Sequence, residues 1–336
     1  MAILVTGSTG FVGQALCHSL VHSGHIIRCA VRVGPKYFLS KENRKTANKN
    51  NFVAIDDIGP STNWLHTLQD IDTVIHLAAR VHSMQGNSEY HSKDFQEVNT
   101  LGTAHLAGEA AKAGVSRFVY LSSIKVNGDE TGQRGQKSKT PFSETDIPNP
   151  QDSYAISKWE AEQALNAISN ETGMEVVIIR SPLVYGPGVK ANFLRLLRVI
   201  DRSIPLPLGS LHNARSLVNI DNLIDFLITC IKHPAAAGET FLTSDGKDLS
   251  IPELIEKIAR YMGRPCRLLP TPPSLLRFVG KLVGKEYDVK RLCASLQVDI
   301  TKARNVLGWE PPVSVDEGLK KTVEWYLKQK AVGDNQ

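Results

Sequence analysis

The sequence predicts an α/β protein built on a doubly wound parallel sheet, with a smaller, mostly C-terminal α/β domain. Three observations carry that expectation. Short apolar runs recur through the first 180 residues. Helical patterns separate several of them. After residue 180 the texture turns proline-rich and the elements shorten, as at Pro187, Pro205, Pro207, Pro270, Pro272 and Pro273.

In chain order, Ile3–Val5, Ile26–Val31, Phe52–Ile55, Val74–Leu77, Phe118–Leu121 and Val176–Ile179 read as strands. They are continuously apolar rather than alternating, as expected when helices cover both faces of a parallel sheet. Gln14–Ser23, Asp94–Ala113 and Ser153–Glu171 read as helices. Gly24, Gly114 and Gly173 stand where left-handed C-terminal caps would end them. Strand, helix, strand in repetition implies right-handed crossovers. The expected domains are residues 1–180 and 181–330, with some later elements returning to the first domain. Residues 331–336 read as a frayed tail.

Composition bounds the function. Of 336 residues, 42% are apolar and 22% charged, which excludes a disordered chain, a collagen-like repeat or a disulfide scaffold. The five cysteines are widely spaced and form no CxxC, so buried free thiols in a reducing compartment are expected. No signal peptide and no bilayer-length apolar run is visible, so the expected location is the cytoplasm. Ser274–Gly284 is amphipathic and basic. A core-facing helix is the expected reading there, ahead of one lying on a membrane surface. The net charge is +5, and residues 25–49 hold seven bases against one acid. That stretch lacks interleaved aromatics apart from Tyr37 and Phe38, so no nucleic-acid partner is expected.

Gly7-Ser-Thr9-Gly10-Phe11-Val12-Gly13 follows the first strand and opens the first helix. Gly7 suits a tight turn, Gly10 lets backbone approach a pyrophosphate, and Gly13 lets the helix press close. Such a turn at the end of the first strand of a βαβ unit points to a Rossmann-type dinucleotide site. The second strand ends in Val31-Arg32, where NAD-binding chains commonly place a carboxylate for the ribose 2′-OH. A guanidinium there suits a 2′-phosphate, so NADP(H) is expected slightly ahead of NAD(H). Asp57 and Ile58, past the third strand, are placed to meet the adenine, and Asp57 is equally placed to cap the next turn.

Ser122-Ser123 ends the fifth strand, and Tyr154 stands one helical turn before Lys158. An ammonium beside a phenol favours phenolate, so Tyr154 is expected to have a lowered pKa and to exchange a proton with an alcohol near neutral pH. Ser123 would hold the same oxygen.

With His76-Leu-Ala-Ala79, Asn99, Arg180–Gly188 (RSPLVYGPG) and the Asp299–Trp309 segment, these motifs resemble the extended short-chain dehydrogenase/reductases. More narrowly, they resemble the nucleotide-sugar epimerase/dehydratase branch, over residues 2 to about 330. The resemblance implies a bound NAD(P) and a UDP-sugar substrate. Ser123 and Tyr154 would act on the sugar hydroxyl or ketone. Lys158 would tune Tyr154 and hold the nicotinamide ribose, and Asn99 would support Lys158. Leu77, Ala78 and Ala79 would line the adenosine and pyrophosphate, and the Pro182–Val184 backbone would meet the nicotinamide amide. Asn192 and Arg215 resemble diphosphate-binding residues, with Arg291 a further candidate. His82 and Lys125 are candidates to face the sugar. Look-alikes commonly dimerise through the Asp94–Ala113 and Ser153–Glu171 helices.

Dehydratases of the branch carry an Asp-Glu pair after the strand-end hydroxyl. Here Ile124-Lys125 follow Ser123, which excludes that elimination. Two readings remain, a 4-epimerase with tightly bound NAD and a 4-keto reductase consuming NAD(P)H. Similarity to O-antigen cluster proteins, together with Arg32, favours reduction of UDP-4-keto-6-deoxy-GlcNAc. A non-enzymatic NADP-sensing module is a remote third reading, since such relatives generally lose the tyrosine or lysine, and both are present.

Overall fold

The computed structural model describes residues 1–32, 52–81, 88–132 and 140–333. His82, most of the basic segment (Lys36 to Lys49) and residues 334–336 lie outside the described residues. Strands β1 (Ala2–Thr6), β2 (Ile26–Arg32), β3 (Phe52–Ile55), β4 (Thr73–His76), β5 (Arg117–Ser123), β6 (Glu175–Ser181) and β9 (Thr240–Leu242) form one seven-stranded sheet. Its order is β3-β2-β1-β4-β5-β6-β9, and every pairing is parallel. The six strands expected from apolar runs are all present. The seventh, β9, comes from beyond residue 180.

The apolar runs are continuous because both faces are covered. Ile3 and Val5 face a layer containing Leu16, Leu20, Leu223 and Leu227. Leu4 faces the other, with Leu106, Ala110 and Leu165. Removing side chains like these from water stabilises the fold by about 1.5–3 kcal/mol each. The helix Ile220–Lys232 therefore packs on the sheet beside the first helix, Phe11–His22, although it belongs to the later part of the chain. Trp309 stacks edge-on against its Phe226 at 4.6 Å, and its indole donates to Asp225. A third core joins Tyr185, Phe193, Leu197, Leu254, Ile258, Leu319 and Val323 under the two-stranded β7 (Leu183–Tyr185) and β8 (Leu217–Asn219).

Two expectations change. Asp94–Ala113 is not one regular helix. Ser88–Phe95 leads into a wider π-helical turn, Gln96–Leu101, before Gly102–Lys112 resumes the ordinary pitch. Close approach accompanies the irregularity, since a Cβ on Gly102 would lie 2.8 Å from Ile58 Cγ2. The helix Pro273–Leu282 is core-facing on one side only. Leu276 packs inward, while Leu275, Phe278, Val279 and Leu282 are exposed. The five cysteines are free thiols, but Cys266 is exposed rather than buried. Among the described residues, no helix is long and apolar enough to cross a membrane.

Candidate active site at the carboxyl edge of the sheet

A parallel sheet points every strand's C-terminal end the same way, so residues far apart in sequence share one edge. The order reverses between β1 and β4, the switch point where open α/β sheets bind ligands. The glycine turn sits there. Gly7 has φ +68°, and a Cβ on it would lie 2.7 Å from the Ala78 amide nitrogen. A Cβ on Gly13 would lie 2.1 Å from the Gly7 carbonyl oxygen, so the helix presses against the turn itself. The first helix begins at Gly10 with no side-chain cap on its N-terminal amides. Uncapped amides at the positive end of a helix suit an anion, and the crowding leaves only backbone around them, so the turn fits a dinucleotide pyrophosphate. Thr9 lies in the turn, where its carbonyl accepts from Gln14 at 3.0 Å. Phe11 packs between two of the cores and Val12 against one.

At the next strand ends, Arg32 donates to Asp57 at 3.0 Å, so these two expected cofactor residues stand side by side. Ile58 packs towards Gly102. Leu77, Ala78 and Ala79 follow β4 half-buried, with Leu77 held by the Thr6 carbonyl at 3.3 Å. Pro182 is buried beyond β6, and Val184 lies in β7 paired with Val218.

Ser123 ends β5, opposite Ser181 of β6. The helix Ser153–Thr172 carries Tyr154 and Lys158. Asp152 caps it, accepting from the Ala155 amide at 2.8 Å, and Gly173 ends it at φ +76°. Lys158 is 2% exposed. Its Nζ donates to the Leu121 carbonyl at 2.7 Å and lies 4.1 Å from the Tyr120 ring centroid. Burial pulls its pKa down to about 7, and Glu162 opposes the shift.

Tyr154 departs from expectation. Part of its side chain remains exposed, but burial around the hydroxyl pushes its pKa up to about 12. A hydrogen bond with Ser123 opposes this, and Asp152 adds to it. The expected lowering by Lys158 is absent. The ammonium is engaged by a carbonyl and a ring, and the phenolate would lose its water. In this state the lysine titrates near neutrality and the tyrosine keeps its proton.

Asn99 is 1% exposed in the π-helical turn. Its side chain accepts from the Arg80 amide at 2.8 Å and donates to the Arg80 carbonyl at 3.1 Å and to Ser157 Oγ at 3.0 Å. It thus grips Ser157, the residue before Lys158. Ser157 Oγ in turn donates to the Tyr154 carbonyl at 2.8 Å.

Sequence reasoning missed a buried charged layer beneath these residues. Glu162 is 1% exposed and accepts a short bond from Ser122 Oγ. Arg180 grips it through Nε at 3.1 Å and Nη2 at 2.6 Å, and also donates to Asn127 at 3.0 Å. Glu162 follows Lys158 by four residues, so helical spacing was the signal available for it. His76, wholly buried between Thr6 and Thr103, is driven to a pKa of about 3 by burial, with Lys158 adding to the shift.

The expected substrate residues divide. Lys125, expected to face a sugar, already holds two carboxylates. It pairs with Asp152 and with Asp129 at 3.5 Å. Burial would raise the Asp152 carboxyl, but Lys125 and the Ala155 amide outweigh it and hold Asp152 below its usual range. Arg215 is half-buried and donates to the carbonyls of Arg291 at 2.9 Å and Ala294 at 3.1 Å. Burial, then the charge of Arg291, pull its pKa down to about 10. Arg291 lies over the Tyr287 ring at 5.5 Å, in the helix Glu286–Cys293. Asn192 is exposed in the first turn of the helix Ala191–Asp201, which has no side-chain cap.

The sequence pattern of the NAD dependent epimerase/dehydratase family matches residues 3–242. A UDP-glucose 4-epimerase of Vibrio cholerae is 43% identical over 331 residues, covering 97% of this chain and 96% of that protein. Among solved structures, the UDP-glucuronic acid 4-epimerase of Bacillus cereus in complex with NAD shares the fold. It aligns at a TM-score of 0.75 and 23% identity, over 98% of this chain and 99% of the other. MoeE5 in complex with UDP-glucose and NAD aligns at 0.73 and 25% identity, over 98% and 100%. With the glycine turn, the strand-end serine and the Tyr154–Lys158 pair on one edge of such a sheet, the chain belongs to the NAD dependent epimerase/dehydratase family and is an enzyme of that kind.

Proposed function

We propose that the protein transfers a hydride at C4 of a UDP-hexose or UDP-N-acetylhexosamine, using NAD(P). The observation that carries this reading is the assembly of Ser123, Tyr154 and Lys158 at the sheet edge beside the glycine turn. Residues 1–180 would hold the cofactor, and residues 181–330 most of the sugar nucleotide. The backbone from Gly7 to Gly13, with Thr9, Phe11 and Val12, would cradle the pyrophosphate. Arg32, Asp57 and Ile58 would meet the adenosine, with Leu77, Ala78 and Ala79 along it. Pro182 and Val184 would meet the nicotinamide end. A bound nicotinamide would supply the hydride donor or acceptor.

Ser123 would donate to the sugar C4 oxygen and orient it. Tyr154, which holds its proton in this structure, would pass that proton to a ketone oxygen as the C4 carbon is reduced. Run backwards, it would take the proton of a C4 hydroxyl. Lys158 would offset charge developing on Tyr154, and Asn99 would fix the helix through Ser157. The uncapped start of Ala191–Asp201, with Asn192, and the pair Arg215 and Arg291 would meet the diphosphate. The free thiols agree with a reducing, cytoplasmic setting. Exposed Leu101 and Ile156, on the two segments expected to pair, agree with a homodimer.

The narrower reading is a UDP-4-keto-6-deoxy-GlcNAc 4-reductase serving O-antigen precursor synthesis. It is supported by Arg32 at the end of β2. The second reading is a UDP-glucose or UDP-GlcNAc 4-epimerase with retained NAD, favoured by the Vibrio relative. Mass and absorbance of dinucleotide carried through purification separate them. Retained NAD⁺ selects the epimerase, and an empty site taking up NADPH selects the reductase. Tyr154→Phe should abolish turnover on either substrate while leaving dinucleotide binding intact. Turnover within about tenfold of the parent would sink the proton-transfer assignment.

A further inference from the structure

The helix Pro273–Leu282 carries a second amphipathic pattern that the site does not use. Leu275, Phe278, Val279 and Leu282 are spaced i, i+3, i+4 and i+7, so they form one stripe. That stripe is exposed, with Phe278 at 61% and Leu282 at 70%, and Val283 extends it at 63%. A stripe of this spacing normally seeks a core. Here the opposite side already does so. Leu276 packs on the third core, and Gly280 abuts Val289 so closely that a Cβ would lie 2.8 Å from its Cγ2. The helix is therefore anchored with its apolar stripe outward.

Charge says what the stripe fits. The two helices and the turn between them, residues 273–293, hold Arg277, Lys281, Lys285, Lys290 and Arg291 against Glu286 and Asp288, an excess of three positive charges. Lys281 and Lys285 are exposed at the C-terminal end of the stripe. A stripe of leucine, phenylalanine and valine edged by lysines matches the boundary between anionic headgroups and acyl chains, where long lysine stems can reach back to phosphate. A second copy of the chain is the poorer match. A symmetric contact through this stripe would bring the same basic residues against each other.

We propose that this helix docks the protein on an anionic lipid surface, lying in the interface without spanning it. The neighbouring helix Glu286–Cys293 places Arg291 against Arg215, so a docked protein would hold its sugar-nucleotide residues close to the bilayer. The proposal does not depend on the hydride-transfer reading, because its test measures binding alone.

The test is flotation of the purified full-length protein with vesicles of phosphatidylglycerol or of phosphatidylcholine. The protein should float with the first and not with the second, and added salt should release it. Phe278→Glu with Leu282→Glu should lower partitioning at least about tenfold, and so should Lys281→Glu with Lys285→Glu. Because these side chains are exposed, melting temperature and turnover of soluble substrate should stay at parent values. Failure of the parent to float, equal flotation on both vesicles, or undiminished flotation of both variants would overturn the proposal. A concentration-dependent dimer lost in Phe278→Glu, with no lipid binding, would overturn it in favour of a copy-to-copy interface.

Discussion

Lys158→Met tests the electrostatics of the buried layer directly. Methionine keeps much of the lysine's length and removes its charge. In the fold, burial pulls the lysine from an ordinary 10.5 down to about 7. At about 1.4 kcal/mol per unit, the folded state disfavours the ammonium by roughly 5 kcal/mol relative to the unfolded chain. The unfolded lysine keeps its proton up to about pH 10.5, while the folded one releases it near 7. Between those values the unfolded chain binds more protons, so this residue's effect on stability improves as pH rises. Below about pH 7 the fold bears the whole cost.

Methionine bears no such cost, but it forfeits the bond to the Leu121 carbonyl at 2.7 Å, a loss of about 1 kcal/mol. The variant should therefore melt above the parent at about pH 6 and at or below it near pH 10. At about 2 °C per kcal/mol for a chain this long, the difference in melting temperature should swing by roughly 10 °C. Differential scanning calorimetry of both proteins across that range reads it. Every other titrating group is common to both, so to first order it drops out of the difference. Turnover should fall at least about a hundredfold at pH 6, where the parent lysine carries its charge. A melting difference that stays flat from acid to alkaline pH would refute the reasoning, because Lys158 would then titrate as an ordinary lysine.

Two further substitutions probe the layer and the cofactor end. Glu162→Gln leaves the 4%-exposed Arg180 without its carboxylate, and breaking such a buried pair should cost about 3–5 kcal/mol, read by urea denaturation. A loss under about 1 kcal/mol would mean the pair is solvated in solution. Arg32→Ala should weaken NADPH more than NADH in a fluorescence titration, because only NADPH offers a 2′-phosphate to the guanidinium; equal losses would remove Arg32 as a selector.

What the sequence revealed follows from how local each signal is. The central strands β1, β4, β5 and β6 are buried on both faces, and even β2 and the edge strand β3 keep a run of apolar residues long enough to see. β9 is three residues, Thr240-Phe241-Leu242, and is a strand only because β6 pairs with it. The π-helical turn at Gln96–Leu101 shifts the helix by a fraction of a turn, which a periodicity of 3.6 residues cannot resolve. The glycine turn, Ser123 and the Tyr154–Lys158 pair were legible because each is a short pattern at a strand end or on one helix face. Arg180 was visible only as part of a motif, since its partner Glu162 lies on another element. The tyrosine pKa was misjudged for the same reason. Helical spacing places an ammonium near a phenol, but burial is a property of the whole fold, and here it dominates.

The basic residues expected to grip substrate show how the two halves of the chain are joined. Lys125, Arg215 and Arg291 each already hold a protein partner. Lys125 pairs with Asp152 and Asp129. Asp129 also accepts from Tyr287 at 2.7 Å, in the helix that carries Arg291. Lys290 of that helix reaches Glu130 at 3.2 Å. Asp152 meanwhile caps the helix that begins one residue before Tyr154. A continuous set of charged contacts therefore runs from the Arg291 helix to the turn that positions the tyrosine. Lys125 and Tyr287 thus share Asp129, and Arg291 lies over the Tyr287 ring. Low dielectric strengthens these contacts, because Lys125 and Asp129 are 15% and 11% exposed. No single strand or motif in the sequence encodes this set of contacts, because it joins side chains from residues 125–152 to those of residues 287–290.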